Sequence, residues 1–369
     1  MDFEAGAKTF CGSIPVLALR GSWRQMGRQY GFLMKEELRK VYDFAMRHKE
    51  GFARLGQLGR GGKPVGIFRY DQLFRGVSET SGLTLDQLMT VNAVEVIYLD
   101  RIQTGMREIF DGSRCSSLAV WPHFTRGDLI FGRNYDWLPE FEELTDTLSV
   151  AVYHPADGAI PVASINWAGC FYMTTGMNAN GLFIELNSGM FADDSLVPQR
   201  IHNVWLLWEF LLNAEGFNEI ENAFATCAAS GTYLIGVADS VRAECFGWHT
   251  HGAAHLAPHE PGLLAMTNHF VLPGWKNLPA AGLDNCASSI RRREALLELA
   301  HAHPGPISEA DMFEIMSRPA SDGGAYVRGT LFQVVALPGK KVWHVRPRGR
   351  TDWSEIDLSR FFEEGEGSR

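Results

Sequence analysis

The chain has 369 residues, 46% of them hydrophobic and 21% charged, enough to bury a sizeable core in one large domain or two closely joined ones. Its formal net charge of −9 argues against nucleic acid as the main partner, because a phosphate-binding surface carries a basic excess. No run of about 18 uninterrupted apolar residues argues for a membrane span, and Met1-Asp-Phe-Glu4 lacks the basic-then-apolar pattern of a secretory leader, so the expectation is a cytoplasmic protein.

Residues from about 22 to 110 read mostly as helices. Ser22-Trp-Arg-Gln-Met-Gly-Arg-Gln-Tyr-Gly31 opens a run to Met46 with apolar residues at helical spacing. Residues 56–66 form a glycine-rich, basic loop. Leu83-Thr-Leu-Asp-Gln-Leu88 starts another helix that continues through Leu99, with Thr84 as its N-cap and Asp86 in its first turn.

From Cys115 the texture changes. Ser116–Val120, Leu129–Phe131, Leu148–Tyr153 and Pro161–Trp167 are β-rich. Asn180-Gly181 marks a turn before a strand running to Asn187. A helical block spans about Val204–Ala229. Strands follow at Tyr233–Ala238, Ala243–Trp248 and Leu263–Thr267. One helix covers about Ser288–His301 and another starts near Ser308, and the chain closes on strands at Thr330–Leu337 and Lys341–Val345. Short strands, tight turns and intervening helices predict an α+β fold of antiparallel sheets with helices layered outside.

The six cysteines are scattered without metal-ligand spacing and read as free thiols. Five sit in or near apolar runs. Cys115 follows the polar Asp111-Gly-Ser-Arg114, and Gly132-Arg-Asn-Tyr-Asp-Trp137 comes shortly after. A thiol needs a positive neighbour to ionise at neutral pH. If the two runs pair as strands, Arg133 supplies that cation and Asp136 an acceptor for a nearby amine. Taken singly, Cys115 reads as an inert core thiol and Arg133 with Asp136 as a hairpin ion pair. Asn187 and Asn268 likewise read singly as turn residues.

His249, His251, His255 and His259 match no zinc spacing and read as an exposed loop. Arg346-Pro-Arg-Gly-Arg350 reads as a solvated turn. Gly59-Arg-Gly-Gly-Lys63 lacks the ending of a phosphate loop. Tyr135, Trp137, Trp167, Phe171 and Tyr172 are candidates for an acyl pocket, against the alternative that they are core.

The Cys115-Ser-Ser run, Gly132–Trp137, Gly176-Met-Asn-Ala-Asn-Gly181 with Asn187 after it, and Met266-Thr-Asn-His-Phe270 occur in an order that resembles the linear-amide C–N hydrolases of the N-terminal-nucleophile superfamily. That group includes choloylglycine hydrolases, acid-ceramidase-like amidases and isopenicillin N acyltransferase. Each motif is weak alone; the ordered set, covering most of the chain, is specific. The resemblance implies a four-layer αββα sandwich over 115–369, with 1–114 as a mostly helical prosegment packed on it.

The resemblance further implies that Cys115 is a nucleophile exposed by self-cleavage of the Arg114–Cys115 bond, where the acyltransferase branch usually has glycine at the position of Arg114. The freed α-amine, with a pKa near ~8, is then the base for its own thiol. Arg133 stands beside the sulfur, Asp136 holds the amine, Asn187 and Asn268 line an oxyanion site, and Arg292 supports the site from a helix. The reaction implied is cleavage of a linear amide through a thioester. Alternatives are acyl transfer from an amide or thioester to an amine, and an uncut, non-catalytic binding protein on the same fold. The partner is a small-molecule amide or acyl thioester; no organic cofactor and no metal is implied, and a homo-oligomer is left open.

Overall fold

The computed structural model describes residues 1–48, 67–103, 115–189, 197, 200–256, 258–271 and 286–363. The basic loop 56–66, Arg114 and the tail 365–369 lie outside the described residues. In chain order the strands are β1 (Asp2–Phe3), β2 (Gly6–Cys11), β3 (Ile14–Gly21), β4 (Ser116–Val120), β5 (Ile130–Asp136), β6 (Leu148–Pro155), β7 (Val162–Trp167) and β8 (Thr175–Asn178). They continue as β9 (Phe183–Ser188), β10 (Tyr233–Ala238), β11 (Ala243–His249), β12 (Gly252–Leu256), β13 (Leu263–Met266), β14 (Thr330–Leu337), β15 (Val342–Pro347) and β16 (Ser354–Asp357). The helices are α1 (Trp23–Leu33), α2 (Lys35–Arg47), α3 (Phe68–Ser81), α4 (Leu85–Gln103), α5 (Asn203–Asn213), α6 (Phe217–Thr226), α7 (Ala287–Ala302), α8 (Glu309–Ser317) and α9 (Leu358–Glu363).

The strands form two sheets. The larger runs β1-β2-β3-β6-β7-β8-β9-β10-β11-β12 and the smaller β13-β4-β5-β14-β15-β16. Among the described strands every pairing is antiparallel except β3 with β6, in the register Val16 opposite Val150. The inner faces meet through Phe131 on Phe183, Trp167 on Phe332 and Trp343 on Phe183. Outside the smaller sheet, α7 and α8 bury Leu296, Met312 and Met316 against Leu118, Val120 and Val335. On the other side, α1 and α5 pack against strands of the larger sheet. The layers are therefore αββα, as the sequence motifs imply.

Of the described residues before Cys115, those from Trp23 onward are mostly helical, but the first 21 residues form β1–β3, which are strands of the large sheet. The apolar run Ile14-Pro-Val-Leu-Ala-Leu19 is buried, as a strand covered on both faces must be. The glycines of the α1 motif have a packing cause. A Cβ at Gly27 would lie 2.2 Å from the Leu73 carbonyl oxygen, and one at Gly76 of α3 2.1 Å from the Arg24 oxygen. Helices α1 and α3 therefore touch backbone to backbone, which only glycine permits.

Other expectations hold or shift locally. Thr84 caps α4 reciprocally with Gln87, and Ser308 caps α8 with Asp311. The block Val204–Ala229 is two helices, broken at Ala214–Gly216 where α6 starts afresh. The histidine-rich stretch is a hairpin rather than a loop: His249 is buried on β11, and His255 on β12 faces Glu244. The chain closes on β16 and α9 beyond β15, because Ile356, Leu358 and Phe362 carry enough apolar surface to dock. Arg346 belongs to β15; its guanidinium donates to Gln333 and Ser317 and lies over Trp353, so that end of the basic run is not solvated. All six cysteines are free. Among the described residues no helix is long and apolar enough to cross a membrane.

Candidate active site

Cys115 stands immediately before β4, which pairs with β5 so that Ser117 lies opposite Arg133 and Ser116 opposite Asn134. Side chains alternate along a strand. Arg133 and Tyr135 therefore point between the sheets, while Gly132, Asn134 and Asp136 face the outer helices. A Cβ at Gly132 would meet Met316 and Met312 of α8 at 2.6 and 2.7 Å, which explains the small residue in that motif. At the strand end, Cys115 is reached from both faces.

On the inner face, Arg133 is fully buried. Its Nη2 lies 3.7 Å from the Cys115 Sγ and donates to the Leu186 carbonyl at 2.7 Å. Its Nη1 donates to the Thr174 carbonyl and the Thr175 hydroxyl. Its Nε faces Glu185 Oε2 at 3.2 Å. The ring of Tyr135 lies under the guanidinium, 5.0 Å from its centroid. The other oxygen of Glu185 accepts from the Ser117 hydroxyl at 2.8 Å, and Asn187 Nδ2 reaches that same hydroxyl oxygen at 3.5 Å.

On the outer face, Asp136 Oδ1 accepts from the Thr330 hydroxyl at 2.6 Å, and Oδ2 lies 3.7 Å from Arg292 Nη1. Arg292 Nη1 also donates to the Cys115 carbonyl at 3.1 Å, and Nη2 to Asn268 Oδ1 at 3.0 Å. Asn268 in turn donates from Nδ2 to the Ser188 carbonyl at 2.9 Å and from its backbone to Ser289 Oγ at 2.9 Å. Arg292, the least marked residue in the sequence because three arginines stand in a row, is the link between Cys115, Asp136 and Asn268. Arg133 and Asp136 do not pair as a hairpin ion pair: Arg133 faces Glu185, and Asp136 faces Arg292.

Electrostatics follow from the burial. Desolvation pushes the Cys115 thiol up; Arg133 opposes this but does not outweigh it. Burial raises Asp136 to about 7 against the pull of Arg292, and Glu185 to about 7 against that of Arg133. The chain thus holds a mostly protonated thiol beside a buried guanidinium.

Tyr135, Trp137, Trp167, Phe171 and Tyr172 are all buried. Tyr135 stacks on Phe332, and Trp167 meets both from the large sheet. Phe171 packs on Tyr30 and Phe74 of the N-terminal helices, and the Tyr172 hydroxyl donates to Glu95 of α4. Sequence reasoning missed Glu185, Ser117 and Thr330. The signal for Glu185 was present: a lone carboxylate inside Leu182-Phe-Ile-Glu-Leu186, where an unpaired charge is not tolerated.

No protein-family model matches the chain, and no curated protein matches it. Solved structures do. An N-acylethanolamine-hydrolyzing acid amidase ortholog of Caenorhabditis elegans is 20% identical with a TM-score of 0.47, over 61% of this chain and 93% of that one. The conjugated bile acid hydrolase of Clostridium perfringens is 14% identical with a TM-score of 0.47, over 67% and 93%. Penicillin V acylase from Agrobacterium tumefaciens is 12% identical with a TM-score of 0.40, over 67% and 87%.

Proposed function

We propose that the protein is a cysteine amidohydrolase of the N-terminal-nucleophile kind, acting on a linear amide. The observation that carries this is the two-faced setting of Cys115, with Arg133 Nη2 3.7 Å from its sulfur and Arg292 3.1 Å from its carbonyl oxygen. In the first event the thiol attacks the Arg114 carbonyl. The C–N bond to Cys115 breaks, a thioester forms, and the proton passes to the released amine. Water hydrolyses the thioester and leaves Cys115 as a new N-terminus.

In turnover the freed amine takes the thiol proton while sulfur attacks the substrate carbonyl. The proton then goes to the leaving amine, the acyl group stays on sulfur, and water removes it as a carboxylic acid. Arg133 stabilises the developing thiolate. Asp136 accepts from the amine. Asn187 has a second amide hydrogen beyond the one aimed at Ser117, and Asn268 stands on Arg292; both serve the oxyanion, where one donor is worth roughly 3 kcal/mol. Acyl transfer shares every step to the thioester and differs only in the acceptor.

The test is a panel of N-acyl amino acids and N-acyl amines with wild type and Cys115→Ala. Turnover by wild type and none by the variant is expected; equal rates would remove Cys115 from the chemistry. Free acid as the product marks hydrolysis, and a new amide made with added amine marks transfer.

A further inference from the structure

We propose, building on the reading above, that Glu185 is a positioning residue that holds Arg133 against Cys115 and, through Ser117, sets the amide of Asn187. Four polar groups are buried in one connected row between the sheets. Glu185 Oε2 faces Arg133 Nε at 3.2 Å, and Oε1 accepts from Ser117 Oγ at 2.8 Å. Ser117 spends its only proton on Glu185, so its oxygen can only accept, and Asn187 Nδ2 lies 3.5 Å from it. Glu185 thus decides which way Ser117 and Asn187 present themselves.

Its hold on Arg133 is the larger consequence. Three carbonyl or hydroxyl partners, Thr174, Thr175 and Leu186, fix one side of the guanidinium. Among the described residues, Glu185 is the carboxylate that approaches its Nε side, with 0% exposure on both side chains. Removing one partner of a buried pair leaves an uncompensated charge that seeks another acceptor. Asp136 and Glu95 are the other carboxylates whose fields reach Arg133. A guanidinium drawn toward Glu95, which is not among the charges that act on Cys115, moves away from the sulfur.

Cys115 is faced by Arg133 and Asp136 from β5, by Glu185 from β9 and by Arg292 from α7. This gives two possible roles of Glu185 opposite signs. As a bare charge, Glu185 disfavours the thiolate, so neutralising it would lower the thiol pKa. As the anchor of Arg133, its loss moves the cation away and raises it.

The experiment is the pH dependence of iodoacetamide alkylation at Cys115, read by peptide mass mapping in wild type, Glu185→Gln, Glu185→Asp and Ser117→Ala. Glu185→Gln is expected to shift the profile upward by about one pH unit, with roughly tenfold slower labelling at pH 7. Glu185→Asp should recover part of the shift, and Ser117→Ala should give a smaller upward one. An unchanged or lowered profile in whichever of these variants folds overturns the proposal. The readout needs no substrate, so a wild type without amidase turnover would count against the function proposed above and leave this result standing.

Discussion

Glu95 offers a prediction whose size can be worked from the structure. It sits on α4 with 0% exposure, one carboxyl oxygen accepting from the Tyr172 hydroxyl and the other without a hydrogen-bond partner among the described residues. Burial lifts its carboxyl from 4.5 to about 7, opposed by the Tyr172 hydrogen bond and Arg133. Between those values the unfolded chain releases a proton that the folded chain keeps. Stability therefore falls as pH rises through that window and levels off above it. At about 1.4 kcal/mol per pH unit, the loss between pH 5 and pH 8 is roughly 2–3 kcal/mol.

Glu95→Gln keeps an acceptor for Tyr172 and cannot ionise. Whatever fixed cost the amide carries, it is the same at both pH values. The difference in stability between variant and parent should thus grow in the variant's favour by roughly 2–3 kcal/mol from pH 5 to pH 8. Both proteins would carry Cys115→Ala to keep the chain whole, and urea unfolding at the two pH values gives the numbers. Equal pH slopes, within about 0.5 kcal/mol, would refute the claim that Glu95 is buried as a neutral acid.

Two more predictions concern packing and the outer face. Gly27→Ala should lower thermal stability more than Gly132→Ala. The first drives a methyl into the Leu73 backbone carbonyl, which cannot yield, while the second meets the flexible Met312 and Met316 side chains; overpacking of the second kind costs about 1–3 kcal/mol. Arg292→Lys keeps the charge but loses the fork that spans the Cys115 carbonyl and Asn268 Oδ1, so kcat/KM toward an amide should drop about tenfold or more with KM changing little; retention of full kcat would remove Arg292 from the site.

The site was legible where it depends on short-range pattern. Arg133 and Asp136 lie on β5 and Cys115 at the start of the neighbouring β4, and a paired hairpin brings them together whatever the rest of the chain does. Glu185, Ser117 and Thr330 come from residues whose contacts form only when the two sheets stack or β14 pairs with β5, and no local pattern reports that. Arg292 was visible but not its register, since Arg291, Arg292 and Arg293 share one helix and only tertiary packing chooses the inward one. For the fold, helices announced by capping residues and period were found. The strands β1–β3, β8, β12 and β16 were not: β2 and β12 have exposed positions such as Phe10 and His255, β1, β8 and β16 are too short to show a period, and the continuous apolar run of the buried β3 has no alternation to read.

Cys115 is proposed to become an N-terminal nucleophile by its own attack on the bond before it. Intact mass of purified wild type and Cys115→Ala, incubated side by side, tests this most directly. Wild type should resolve into two pieces, one beginning at Cys115, while the variant stays whole. A wild type that remains a single chain, or a variant that splits at the same bond, would contradict it.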